Sequence, residues 1–233
     1  MPAKDLKVYL IRHTLRPEEL TALCAKLCYS HSDLEKMQER VTSRDQRAFV
    51  EKIMSMGHES VLEHVTFTFG VEGVSRTLLA QLTRHRLASF SVQSQRYVSM
   101  ENEFGYIIPP KITALGVDAV AEYERQMAQM HEWYKAWQAL LGTGESANED
   151  ARFVLPGASE TRLVVTMNVR ELRHFFSLRC CTRAQWEIRA LANRMLMLCK
   201  EVAPALFADA GPGCVRGRCP EGEKSCGKAG EKK

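Results

Sequence analysis

Between His64 and Leu82 the chain changes its hydrophobic period once, and that change restricts what it can fold into. In HVTFTFGV, Val65, Phe67 and Phe69 alternate with Thr66 and Thr68, the repeat of a strand with one buried face. From Val74 the apolar positions fall at Val74, Leu78 and Leu82, the spacing of a helix. Helices must therefore pack against a sheet, and other segments repeat the alternation. KVYLIRH reads as a strand. PEELTALCAKLCY reads as a helix with Pro17 in its first turn, and RDQRAFVEKIMSMG as a second helix closed by Gly57. TRLVVTMN is a strand, and Asn168 then stands at an N-cap with Glu171 three positions later, so NVRELRHFFSLR is a capped helix. A last helix from about Arg183 buries Ile188, Leu191, Met195 and Leu198.

The longest periodic segment places Val120, Tyr123, Met127, Met130, Tyr134, Trp137 and Leu141 at three- and four-residue intervals, ending at Gly142 and Gly144. Such a seam wants a partner helix, in this chain or another copy. With 233 residues and 45% apolar content, the chain has material for one α/β (α+β) domain, expected over residues 1–207. Residues 208–233 change character: GPGCVRGRCPEGEKSCGKAGEKK is rich in glycine and mixed charge and predicts a tail without a core of its own.

The amino end, MPAKDLKVYLIRHT, interrupts a short apolar run with charges, unlike a signal peptide or a membrane span. A cytoplasmic protein without membrane partners is expected, and its eight cysteines then read as free thiols. Adjacent Cys180 and Cys181 read as packing residues. Cys214, Cys219 and Cys226 offer three sulfurs without a histidine, short of a four-ligand metal site.

Charge is the second constraint. From Gly73 to Met100 there is no Asp or Glu, while Arg76, Arg84, Arg86 and Arg96 lie inside, and these four equal the net charge of +4. An anion is expected there. A nucleic-acid surface would spread over a face and interleave stacking aromatics, whereas this segment holds only Phe90 and Tyr97. Arginines alternating with Ser89, Ser91, Gln93, Ser94 and Gln95 suit a compact anion with hydrogen-bonding edges, such as a nucleotide. HESVL puts Leu62 where a zinc-protease helix needs its second histidine, no phosphate-binding G-x-x-x-x-G-K-[ST] loop occurs, and no glycine-rich turn joins a strand to a helix. No metal is expected, and any cofactor must be held by side chains.

RHRLASFSVQS matches R-H-R-x7-S, which resembles the signature of the flavin-dependent thymidylate synthases. HESVLEHVTFTF before it and MNVRELRHFFSLRCCTRAQWEI after it are similar to that family's other segments in the same order, a resemblance running from about His58 to Lys200. It implies a mostly antiparallel central sheet flanked by helices and a homotetramer with sites shared between subunits. It implies conversion of dUMP to dTMP with FAD as cofactor, NADPH as reductant and methylenetetrahydrofolate as carbon donor. It further implies that Arg84, His85 and Arg86 contact the flavin with Ser60, Glu63, Asn168, Arg170 and His174. Gln81, Ser94, Gln95, Arg96, Arg152 and Arg179 would hold dUMP, and Arg179, as the catalytic residue, would lie against the uracil ring and stabilise its electron-rich form.

No base and orienting group are visible for Ser94, so it is expected to position the nucleotide rather than attack it. No Pro-Cys pair exists to supply a cysteine nucleophile. Two other readings remain: a basic nucleic-acid-binding module, and a catalytically silent flavoprotein.

Overall fold

The computed structural model describes residues 2–229. In chain order it contains β1 (Lys7–His13), α1 (Pro17–Leu27), α2 (Leu34–Thr42), α3 (Arg47–Ser55), β2 (Thr66–Ser75), α4 (Arg76–Leu82), β3 (Ala88–Val92), α5 (Pro110–Thr113), α6 (Val117–Leu141), α7 (Glu145–Ala151), β4 (Glu160–Asn168), α8 (Val169–Arg179), α9 (Trp186–Val202) and α10 (Pro204–Phe207). Short 3-10 turns stand at Ser60–His64, Arg152–Val154, Gly213–Arg216 and Gly222–Lys224. The strands form one sheet in the order β1-β2-β4-β3. β2 and β4 run antiparallel: Val169 N donates to Val65 O at 2.8 Å where β4 ends, and Arg76 N to Ser159 O at 3.0 Å where β4 begins. No helix among the described residues is long and apolar enough to cross a membrane.

The described chain divides into two compact units, one of residues 2–7, 70–84 and 90–164, the other of residues 8–69, 85–89 and 165–229. In the first, the change of period seen in the sequence becomes a capped junction: Ser75 ends β2 and its hydroxyl accepts from Leu78 N at 3.0 Å, starting α4. Gly73, with φ of +66°, lies against the Asp5 carbonyl, where a Cβ would come within 1.9 Å of the oxygen. The core of this unit gathers Met100, Phe104, Tyr106, Met127, Tyr134 and Ala151.

The seam on α6 is only half apolar. Met127 and Tyr134 are buried as the spacing predicts, but the other buried positions are His131 and Gln138, while Trp137 and Leu141 stay exposed. The reason is the loop they hold: His131 Nε2 meets Met100 O at 2.8 Å, and Gln138 Nε2 donates to Asn148 Oδ1 at 2.6 Å and to Ser99 Oγ at 3.1 Å. A buried polar contact replaces an apolar one wherever the backbone opposite needs a partner.

In the second unit Phe67, Phe69, Phe175, Phe176 and Phe207 are fully buried and meet at ring separations from 5.6 to 6.3 Å. Asn168 caps α8 as the sequence implies, its Oδ1 accepting from Glu171 N at 2.8 Å. The last long helix starts at Trp186, three residues later than the periodicity suggests, because the Gln185 side chain caps it by accepting from Glu187 N and Ile188 N. α2 was not legible, having only Met37 and Val41 buried.

The glycine-rich segment after residue 207, expected to have no core of its own, carries two 3-10 turns tied down by polar contacts. Arg183 Nε pairs with Glu221 at 2.8 Å, and Arg216 lies 3.7 Å from Glu59. Cys180 is a packing thiol as expected, pushed up to about 12 by burial.

Arg173 is the costliest buried charge of α8, at 4% exposure. Its guanidinium donates to Leu206 O at 2.7 Å and to both Asp209 carboxylate oxygens, at 2.7 and 3.0 Å. Burial would raise the Asp209 carboxyl, but the Arg173 hydrogen bond and charge outweigh it and hold the group below its ordinary value. Asp209→Ala strands the arginine and should cost about 2 kcal/mol, less than a fully buried pair because the carboxylate is half exposed. A depressed folded pKa means this stability is present above the ordinary carboxyl pKa and lost as pH falls through the folded value. The gap in urea midpoints between wild type and variant should be open at pH 7 and close on acidification.

Candidate functional site

α8 spaces Glu171, His174, Phe175 and Arg179 so that they share one side, and in the second unit this side meets His85. His85 and Glu171 are 5% and 6% exposed, so what they bond to decides their arrangement. His85 Nδ1 lies 3.1 Å from Glu171 Oε1, and Arg179 Nε lies 3.1 Å from His85 Nε2. A guanidinium N–H can only donate, so Nε2 carries a lone pair and the imidazole proton sits on Nδ1, donated to Glu171. The ring is therefore neutral. Burial lowers its pKa, the hydrogen bond to Glu171 opposes this, and the Arg179 charge adds to the lowering. Phe175 packs edge-on at 4.9 Å and His174 at 6.2 Å, fixing the ring plane.

The other residues expected around a flavin, Arg84 apart, are spread over the same unit. Asn168 is engaged as the α8 cap. Arg170 and Glu63 form an ion pair with each other, and Arg170 also lies 3.9 Å from Glu59. That bond raises the Arg170 pKa. Ser60, Arg86 and His174 are exposed.

In the first unit stand Gln81, Arg84, Ser94, Gln95, Arg96 and Arg152. Arg84 is exposed, and neither it nor Arg86 makes an ion pair among the described residues. Ser94 Oγ accepts from Arg96 N at 3.1 Å, a turn-forming contact. Arg96 differs from expectation: it is not left without acids, but pairs with Glu145 at 2.7 Å and Glu149 at 3.1 Å, both from α7. Asn148 of the same helix donates to Arg96 O at 2.8 Å. Arg96 and Tyr97 open with Gln138, Gly144, Glu145 and Asn148 onto a cavity of about 500 Å³, large enough for a nucleotide-sized ligand.

Arg76 was singled out only as a charge in the acid-free segment; it is half-buried and stands in the same unit. Its terminal nitrogen donates to Gln93 O at 2.8 Å, while its pKa is lowered first by burial and then by the like charge of Arg152. Arg76 Nε, Gln95 Nε2 and Arg96 Nε are buried donors without a partner among the described residues. Arg76 and Arg152 bring like charges into the unit that also holds these unmet donors, a chemistry that would suit an anion. The residues present thus fit a phosphate.

Residues 9–205 match the family model described as thymidylate synthase complementing protein. The chain is 52% identical over 231 residues to the flavin-dependent thymidylate synthase of Geobacter sulfurreducens, spanning 98% of this chain and 97% of that one. It is 48% identical over 239 residues to the flavin-dependent thymidylate synthase of Clostridium tetani, spanning 98% and 96%. To the protein of the same name from Pyrococcus abyssi it is 42% identical over 226 residues, spanning 94% and 91%.

Proposed function

We propose, because this chain belongs to the flavin-dependent thymidylate synthase family, that its two clusters divide the labour of one reaction. The chain makes dTMP from dUMP and uses a flavin as cofactor. In our reading the flavin is FAD, reduced by NADPH; methylenetetrahydrofolate supplies the carbon; and the enzyme works as a cytoplasmic homotetramer. A bound flavin supplies hydride chemistry.

The residues do the rest. Arg84, His85 and Arg86, with Ser60, Glu63, Asn168, Arg170 and His174, hold the cofactor. Gln81, Ser94, Gln95, Arg96 and Arg152 hold the nucleotide, to which we add Arg76. Arg179 faces the pyrimidine, where a fixed cation favours the electron-rich ring. Residues 1–207 carry this activity, with 208–233 as an appended segment.

The observation that carries this reading is Arg76, anchored on Gln93 O at 2.8 Å and facing the like charge of Arg152, in the unit that also holds the unmet donors of Gln95 and Arg96. An anaerobic assay with dUMP, methylenetetrahydrofolate and NADPH tests it: dTMP is the expected product. Yellow protein that forms none under these conditions overturns the reading. In the same assay Arg76→Ala should raise the KM for dUMP by at least about tenfold, since one charge-assisted hydrogen bond contributes roughly 1.5–3 kcal/mol.

A further inference from the structure

We propose that Glu171 is a positioning residue for Arg179, acting through His85, an inference that rests on the placement of Arg179 against the pyrimidine. A glutamate at the third position of a capped helix ordinarily reaches back to the N-cap amide. Here the Asn168 side chain caps the Glu171 amide, but the Glu171 carboxylate turns instead to His85 Nδ1 at 3.1 Å. Both groups are almost fully buried, so the carboxylate has little water to share and the ring little freedom to turn.

The consequence follows proton by proton. A carboxylate can only accept, which puts the imidazole proton on Nδ1 and leaves the Nε2 lone pair to accept from Arg179 Nε at 3.1 Å. Holding Nε fixes the plane of the guanidinium, and hence the direction of its two terminal nitrogens. Without the carboxylate the ring can take the opposite tautomer, in which Nε2–H points at Nε–H and repels it. A protonated ring would do the same. His174, 6.2 Å from the ring, is the other titratable group packed against it, and Phe175 closes the remaining edge. No proton leaves this chain of three during the reaction; it sets direction and does not transfer.

The test compares wild type, Glu171→Gln, Glu171→Leu and Arg179→Ala in the full-length protein. Ring nitrogen shifts of ¹⁵N-histidine-labelled protein, assigned with His85→Asn, should show His85 neutral and protonated on Nδ1 at pH 7 in wild type. Glu171→Leu should lose that tautomer. Glu171→Gln can still accept from Nδ1–H and should retain it in part, with kcat reduced about 10- to 100-fold, the scale of a 1 Å misplacement, and the KM for dUMP moved far less. Its acid limb should move to lower pH, because the carboxylate that raises the His85 pKa is gone.

If Glu171→Leu does not fold, the wild-type tautomer and the glutamine pH profile decide the matter. A wild-type ring protonated on Nε2, or Glu171 variants with wild-type kcat and pH profile beside an inactive Arg179→Ala, overturns the proposal and leaves the role of Arg179 standing. A fully active Arg179→Ala overturns the role of Arg179 itself.

Discussion

Arg179→Ala lowers dTMP formation by about a thousand-fold while the purified protein keeps its flavin absorbance. The magnitude is that of removing one preorganised donor aimed at developing charge. The guanidinium is held before any substrate arrives: its Nε is fixed by His85, and His85 by Glu171, so little reorganisation is needed at the moment of reaction. Arg179→Lys keeps the positive charge but loses the planar fork and the Nε donor, and should recover only a small part of the lost rate. Steady-state rates under anaerobic conditions measure both. An alanine variant within about threefold of wild type would remove Arg179 from the chemistry.

Gly73→Ala destabilises the protein by about 3–5 kcal/mol. Two costs add. A left-handed backbone at φ of +66° costs any residue with a Cβ about 1–2 kcal/mol. The new methyl also lands 1.9 Å from the Asp5 carbonyl oxygen and 2.5 Å from its carbon, a backbone obstacle rather than a side chain that could swing aside. Near the point of contact Gly73 N donates to Glu160 Oε1 at 3.3 Å, so retreat breaks a further hydrogen bond. At about 2–4 °C per kcal/mol for a chain of this size, the melting temperature should fall by at least about 6 °C. A fall of less than about 2 °C would mean that the strand yields easily.

What was legible in the sequence was whatever depended on near neighbours. The alternation of Val65, Phe67 and Phe69, the cap at Asn168, the glycine stop at Gly57 and the helix beginning at Pro17 are settled by interactions over a few residues, and the chain forms them there. The α/β class follows from the same evidence. What escaped depended on partners far along the chain. Glu145 lies 49 residues from the Arg96 it binds, and Glu171 lies 86 from His85. An acid-free segment thus looked uncompensated when part of it was not.

β3 was hidden for another reason: in Ala88–Val92 burial alternates only between partial and exposed, so no apolar repeat marks it. His131 and Gln138 broke the α6 pattern because the loop they hold was not visible as a neighbour.

Arg96 meets solvent already compensated by two glutamates from α7. A bare guanidinium there would pull the loop toward whatever oxygens it could find; one whose terminal nitrogen is already paired keeps its shape. Under the proposed assignment, capture of a phosphate at this residue would be an exchange, one set of oxygens leaving as another arrives, and the strength of the grip would be only the difference between the two.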